Sequence, residues 1–227
     1  MDVNFFLTER TRFIQMYYDK ASAPFRDTID RIEAGDPPFE PPYSEDGEPP
    51  FLAEWMKAND AEQIVGRTCV SMLSDSLKIY FQTWEGQFRI SCRDICPKAF
   101  KRGFVNGYRT YFEQACKIDW SQSPIDLDVL EQIVHARNDS QHPSDIHTWR
   151  VPHRGALGQQ DRHLIFATEV ERATLVSAEP GSFLSILGPE VRVSRDSLFT
   201  AIEQVERFAA WFDEQCLDRI YRRKDGH

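Results

Sequence analysis

The sequence lacks any apolar run near the roughly 18 residues that a membrane-spanning helix needs. A membrane span is therefore not expected. The N-terminus, Met1-Asp2-Val3-Asn4-Phe5-Phe6-Leu7-Thr8-Glu9-Arg10, also lacks a basic segment followed by a long apolar one. A signal peptide is not expected, and the expected compartment is the cytoplasm. Excess positive charge is missing as well. The formal net charge is −9, which disfavours tight, nonspecific binding to duplex nucleic acid and leaves room only for a local basic site. The five cysteines, Cys69, Cys92, Cys96, Cys116 and Cys216, are odd in number and form no compact framework, so a disulfide-stapled secreted domain is not expected. Cys92-x3-Cys96 is not followed by a second close Cys/His pair, and His147, His153 and His163 are too dispersed for a persuasive metal set. There is no Gly-rich phosphate loop, no nucleophile elbow and no internal repeat. Neither a metal nor a cofactor is expected.

What the chain does have is helical periodicity. The first such segment covers 8–33, with Thr8 and Glu9 at its start, Phe13, Tyr17, Phe25, Ile29 and Ile32 at helical spacing, and Pro24 as a break or kink. Residues 35–50 hold six prolines among acidic residues and read as a surface loop. A long amphipathic helix follows over 59–88. Ile64, Val65, Cys69, Met72, Leu73, Leu77, Tyr80, Phe81, Trp84 and Phe88 make one apolar stripe along it. Another helix is expected over 97–117, with Phe100, Phe104, Tyr108 and Phe112 four apart. Lys98, Lys101, Arg102 and Arg109 make it the most basic surface in the chain, either a solvated face or one that meets RNA.

Ser123-Pro124-Ile125-Asp126 reads as a helix start, and Pro143 stops that helix near His142. Residues 150–194 read as a loop with a β-hairpin insertion. The arms are 183–187 and 191–193, with a turn at Gly188-Pro189-Glu190, and a short strand is expected near 163–166. Ser194 caps a final helix over 195–222. The expected fold is mainly α: one domain over 1–227, a bundle of about five helices with a small hairpin before the last.

The most informative stretch is Glu131-Gln132-Ile133-Val134-His135-Ala136-Arg137-Asn138-Asp139-Ser140-Gln141-His142-Pro143. An apolar helix turns polar and stays so for six residues, so the segment faces solvent, a polar pocket or a partner. Arg137 and His142 are about 140° apart on an ideal helix, and meet only where the helix ends between them. Arginine offers a fixed cationic fork for phosphate oxygens, histidine moves protons near neutrality, and Asn138 can orient either group. His135, two residues earlier, lines the same cleft or lies on the helix surface. Asp139 reads as solvated. Asp75 and Glu85 read as exposed carboxylates, with a reach to the motif helix as the alternative.

This segment resembles the HEPN superfamily, whose R-x4-6-H motif often carries a polar residue directly after the arginine. Here it reads Arg137-Asn138-x3-His142. The resemblance implies a homodimer with two motifs side by side in a cleft. In active members that cleft cuts RNA without metal, the ribose 2′-hydroxyl attacking the adjacent phosphate to leave a 2′,3′-cyclic phosphate. It would make His142 the general acid/base and Arg137 the group that stabilises charge on phosphorus. Asn138 would be a positioning group, and His135, Lys101 and Arg102 would be secondary RNA contacts. Such a nuclease would serve as a toxin or defence effector, with an antitoxin or another protein as partner. Two alternatives stay open. One is a non-catalytic HEPN module that binds a nucleotide, RNA or a protein. The other is an unrelated helical scaffold in which Arg137 and His142 point apart.

Overall fold

Six side chains along the first helix, Val3, Leu7, Thr11, Ile14, Tyr18 and Ser22, recur every three or four residues and are buried. They face one side of a helix, α1 (Val3–Ala34), which lies along the second, α2 (Leu52–Phe88). The structure, a computed structural model, describes residues 2–41, 49–96, 98–142, 147–153, 164–177 and 189–225. The Asp2 carboxylate caps α1 by accepting from the Phe5 amide at 2.9 Å. Gly35 ends it at φ 69°, a left-handed conformation that suits a residue without Cβ. The helix therefore starts five residues before the expected Thr8, and it runs through Pro24 without breaking. Packing on α2 offsets the one backbone hydrogen bond that proline removes. The inward stripe also differs from expectation. Phe13 and Tyr17 stack on each other at 6.3 Å on the outer face, with Phe5, Phe6 and Met16 exposed beside them.

α2 starts at Leu52 rather than near 59. Its stripe is as expected from Cys69 to Phe88, while Ile64 is exposed. The helix expected over 97–117 is divided. A short α3 (Cys92–Ile95) and a 3-10 turn (Ala99–Arg102) precede α4 (Phe104–Cys116). The division falls at Gly103, whose φ of 120° is closed to most L residues. Another helix caps α4: the Glu131 carboxylate accepts from the Asn106 backbone amide at 3.0 Å. Ser123 does not cap the next helix. A 3-10 turn (Trp120–Gln122) occupies that region, and α5 (Asp128–Gln141) begins later, with the Asp126 carboxylate accepting from the Asp128 amide at 2.9 Å.

Residues 150–194 depart furthest from expectation. A helix, α6 (Glu169–Ser177), lies where a loop was expected. Thr168 and Glu171 cap it reciprocally, each accepting from the other's amide, at 2.8 and 3.1 Å. Among the described residues there is no strand, so the expected hairpin is not seen. Its first arm, 183–187, and the start of the 163–166 strand lie outside the described residues. The second arm is extended but pairs elsewhere. Val191 donates to the Val151 carbonyl at 2.7 Å and Arg192 to the Phe166 carbonyl at 3.0 Å, with a single antiparallel bridge between Pro152 and Glu190. Val193 sits so close to Gly66 that a Cβ there would lie 2.7 Å from its own Cβ. Ser194 caps the last helix, α7 (Arg195–Asp225), as expected, accepting from the Ser197 amide at 3.1 Å.

One continuous buried core draws on α1, α2, α4, α5 and α7, and on Val151, Phe166, Val191 and Val193. Its centre is aromatic. Phe81 stacks on Tyr108 at 5.0 Å, and Phe112 meets Phe212 edge-on at 4.9 Å. A buried carboxylate, Asp213, ties three helices together. It accepts from Trp84 Nε1 at 2.8 Å, from the Tyr80 hydroxyl and, at 3.0 Å, from the Asn4 amide at the start of α1. Among the described residues no helix is long and apolar enough to cross a membrane.

Candidate functional site

α5 carries the motif, and the sides of α5 sort its residues. Leu130, Ile133, Ala136 and Asp139 are buried, while His135, Asn138 and His142 are exposed. The last three are spaced i, i+3 and i+7, which puts them on one outward face up to the point where the helix ends. It ends where the sequence demanded. His142 is the C-terminal cap at φ −125°, ψ 63°, with its amide bonded to the Asp139 carbonyl at 3.4 Å.

Arg137 lies on a different side of the helix, against α2. One of its amino groups donates to Asn138 Oδ1 at 3.1 Å, and the other lies 3.8 Å from Asp75 Oδ1. Its Nε is buried, without a hydrogen-bond partner among the described residues. Arg137 is thus joined to Asn138 and Asp75 and not to His142. Within one chain, the two residues of the motif occupy adjacent sides of the same helix end, with Asn138 between them. Asp75 does reach the motif helix. Glu85 does not, because it accepts from the Cys92 amide at 2.8 Å and the Tyr108 hydroxyl at 3.0 Å.

Asp139 is not solvated but buried, 7 % exposed, and its charge is felt by His153. His153 is itself buried, and its Nε2 donates to the Phe166 carbonyl at 2.8 Å. A carbonyl only accepts, so the hydrogen sits on Nε2. Burial pushes the His153 pKa down, while that hydrogen bond and the charges of Asp139 and Glu171 push it back up. The net direction is down, which keeps the ring neutral at neutral pH. The polar run in the sequence therefore has two destinations. Asn138 and His142 face outward, whereas Asp139 is buried and its charge acts on His153.

Lys101 is exposed, and the turn that carries Lys101 and Arg102 is not brought to the motif. Its neighbour Gly103 packs against Glu131. Glu131 precedes His142 by eleven residues, about 16 Å along a helix axis.

Sequence reasoning missed a cavity at the other side of the motif. Ser140 and Gln141 border a space of about 450 Å³ closed by Arg67 and Ser71 of α2 and by the segment from Thr148 to Val151. Ser71 is one turn before Asp75 on α2, so this space continues the α2–α5 seam past Arg137. An arginine beside Gly66 in an amphipathic helix gave no signal of it. Among the described residues no group of three His, Cys, Asp or Glu side chains is arranged to hold a metal ion. No protein-family model, curated protein or solved structure matches the chain.

Proposed function

We propose that this chain is a metal-independent endoribonuclease of HEPN type, acting as a homodimer in the cytoplasm as a toxin or defence effector. The observation that carries this reading is the helix end itself. Arg137, Asn138 and His142 sit on the last turns of α5, and Asn138 and His142 are open to solvent. A cationic fork, an amide and an imidazole thus share one helix end, Arg137 on its α2 side and the other two on its outer face.

The chemistry follows from the side chains. A histidine takes the proton from the ribose 2′-hydroxyl, whose oxygen attacks the adjacent phosphorus. The bond from phosphorus to the 5′-oxygen breaks, and that oxygen receives a proton from a second acid. In a dimer the second acid is the other copy's His142. Arg137, held near the surface by Asn138, stabilises the charge that builds on the phosphate oxygens. The products are a 2′,3′-cyclic phosphate and a 5′-hydroxyl. A substrate without the 2′-hydroxyl is not cut.

The test is cleavage of single-stranded RNA in EDTA by the wild-type chain and by Arg137→Ala and His142→Ala. Each variant is expected to keep its helical circular dichroism and to lose at least about 100-fold in rate. EDTA-resistant cleavage untouched by both changes would overturn the proposal. A second reading is a non-catalytic HEPN module that binds a nucleotide, RNA or a protein such as an antitoxin. The net charge of −9 and the carboxylate of Asp75 beside Arg137 favour it, because both oppose a polyanion. A folded dimer that cuts no RNA supports that reading.

A further inference from the structure

The cavity beside the motif has the makings of a binding site. Its volume, about 450 Å³, falls within the range of small-ligand pockets. Ile64 and Val151 give it apolar surface, and Thr68, Ser71, Ser140 and Thr148 supply hydroxyls around them. Two features stand out against that background. Trp149 is 64 % exposed, while Trp84 and Trp120 are buried and Trp55 and Trp211 half-buried. A large aromatic face left in water at the lip of a cavity suits a flat ligand that stacks on it.

The second feature is Arg67. It is half-buried, and among the described residues it makes no ion pair. The nearby carboxylate Glu190 is already held by Arg150 and, at 3.3 Å, by Arg192. Burial, the largest influence, lowers the Arg67 pKa, the charges of Asp60 and Glu190 raise it, and that of Arg192 lowers it again, with the net direction down. The guanidinium stays charged but is poorly hydrated, so it gains more than a surface arginine from meeting an anion. A planar face and a poorly hydrated cation across one cavity fit a base joined to a phosphate.

We infer that this cavity is a nucleotide subsite for single-stranded RNA, with a base stacked on Trp149 and its phosphate on Arg67. The inference rests on the ribonuclease reading for its purpose. Ser140 and Gln141 lie between Arg137 and His142 in the chain and border the cavity, so a nucleotide held there adjoins the phosphate at which the 2′-hydroxyl would attack. Trp149 is then a residue that sets substrate affinity and context, and it takes no part in the bond changes.

The test uses the full chain and a fluorescent eight-nucleotide RNA with a 2′-O-methyl group on every ribose, which cannot be cut by 2′-hydroxyl attack. Binding is read by anisotropy and by tryptophan quenching. The expected result is quenching in the wild type and a loss of about tenfold in affinity in Trp149→Ala, with most of the affinity kept in Trp149→Phe. Arg67→Gln should weaken binding and lower the salt slope by about one. Wild-type affinity in both Trp149→Ala and Arg67→Gln overturns the subsite, even if RNA cleavage still depends on Arg137 and His142. Binding that needs Trp149 and Arg67 but comes with no cleavage of ordinary RNA keeps the subsite and removes the nuclease. Saturation by AMP without binding of the octamer assigns the cavity to a free nucleotide and overturns the proposal.

Discussion

Replacing Asp213 by leucine should be among the most damaging single changes outside the aromatic core, and its cost can be worked from its partners. The carboxylate is 8 % exposed and accepts from three donors on two other helices. Leucine fills similar space but accepts nothing. Tyr80 keeps a second acceptor, the Ala209 carbonyl at 3.1 Å, so its hydroxyl is not stranded. Trp84 is 2 % exposed and loses the partner of its indole N–H, which costs about 1–3 kcal/mol. The Asn4 amide belongs to the first turn of α1 and loses a cap worth about 1 kcal/mol. The sum is roughly 2–4 kcal/mol, a large share of the stability of an ordinary domain.

Asp213→Asn keeps an acceptor for Tyr80 and Trp84 but sets its NH2 against the Asn4 amide, so it should fall between wild type and leucine. The pH dependence checks the same account. Burial, the largest influence, raises the Asp213 pKa above the ordinary carboxylate range, and the three hydrogen bonds only partly oppose it. A raised folded pKa contributes stability that is complete below the unfolded value and is lost as pH rises through the folded one. The margin of wild type over Asp213→Asn should therefore shrink as pH rises through the window just above the ordinary carboxylate range. Urea unfolding followed by circular dichroism measures both effects. A leucine variant within about 0.5 kcal/mol of wild type at neutral pH would refute the reasoning.

Three further outcomes are expected. His153 has a lowered folded pKa, so its contribution is present above the unfolded value, about 6.5, and is lost as pH falls below it; the urea midpoint should drop between pH 7.5 and 5.5, and His153→Gln should flatten that drop despite the neighbouring Asp139, Glu171 and His135. Glu131→Leu removes the acceptor at the start of α4 and should cost about 1–3 kcal/mol in the same unfolding assay. Asp75→Asn frees Arg137 from a loose, half-exposed pair; on the nuclease reading, kcat/KM for RNA should rise about two- to fivefold, since such pairs are worth about 1 kcal/mol or less.

The long helices were legible because their periodic stripes are long, and Ser194 was legible as a cap because it precedes one. The face of α1 was not. Phe13–Tyr17 and Ile14–Tyr18 both repeat at four, and only packing on α2 decides that the second pair turns inward. The division at Gly103 depends on a carboxylate 28 positions away, Glu131, that supplies the cap. The Thr168–Glu171 box has a local signature, Thr-x-x-Glu, but it follows Pro152, Gly155 and Gly158, which read as a loop. At the site, the helix end at His142 followed from Pro143. The split between an outward Asn138 and an inward Asp139 needed the neighbours, because adjacent helical residues differ by about 100° and nothing local says which one meets the core.

The Asn4–Asp213 contact also bears on how the chain comes into being. Its two ends are 209 positions apart in sequence. At ordinary translation rates about 10–40 s separate their synthesis. During that interval the first helix can lie on the second, but the acceptor that fixes its leading turn has not been made. Trp84 and Tyr80 wait for the same carboxylate. The first helix is thus made well before it can be locked, and its row of outward phenylalanines passes that delay beside a core that lacks α7.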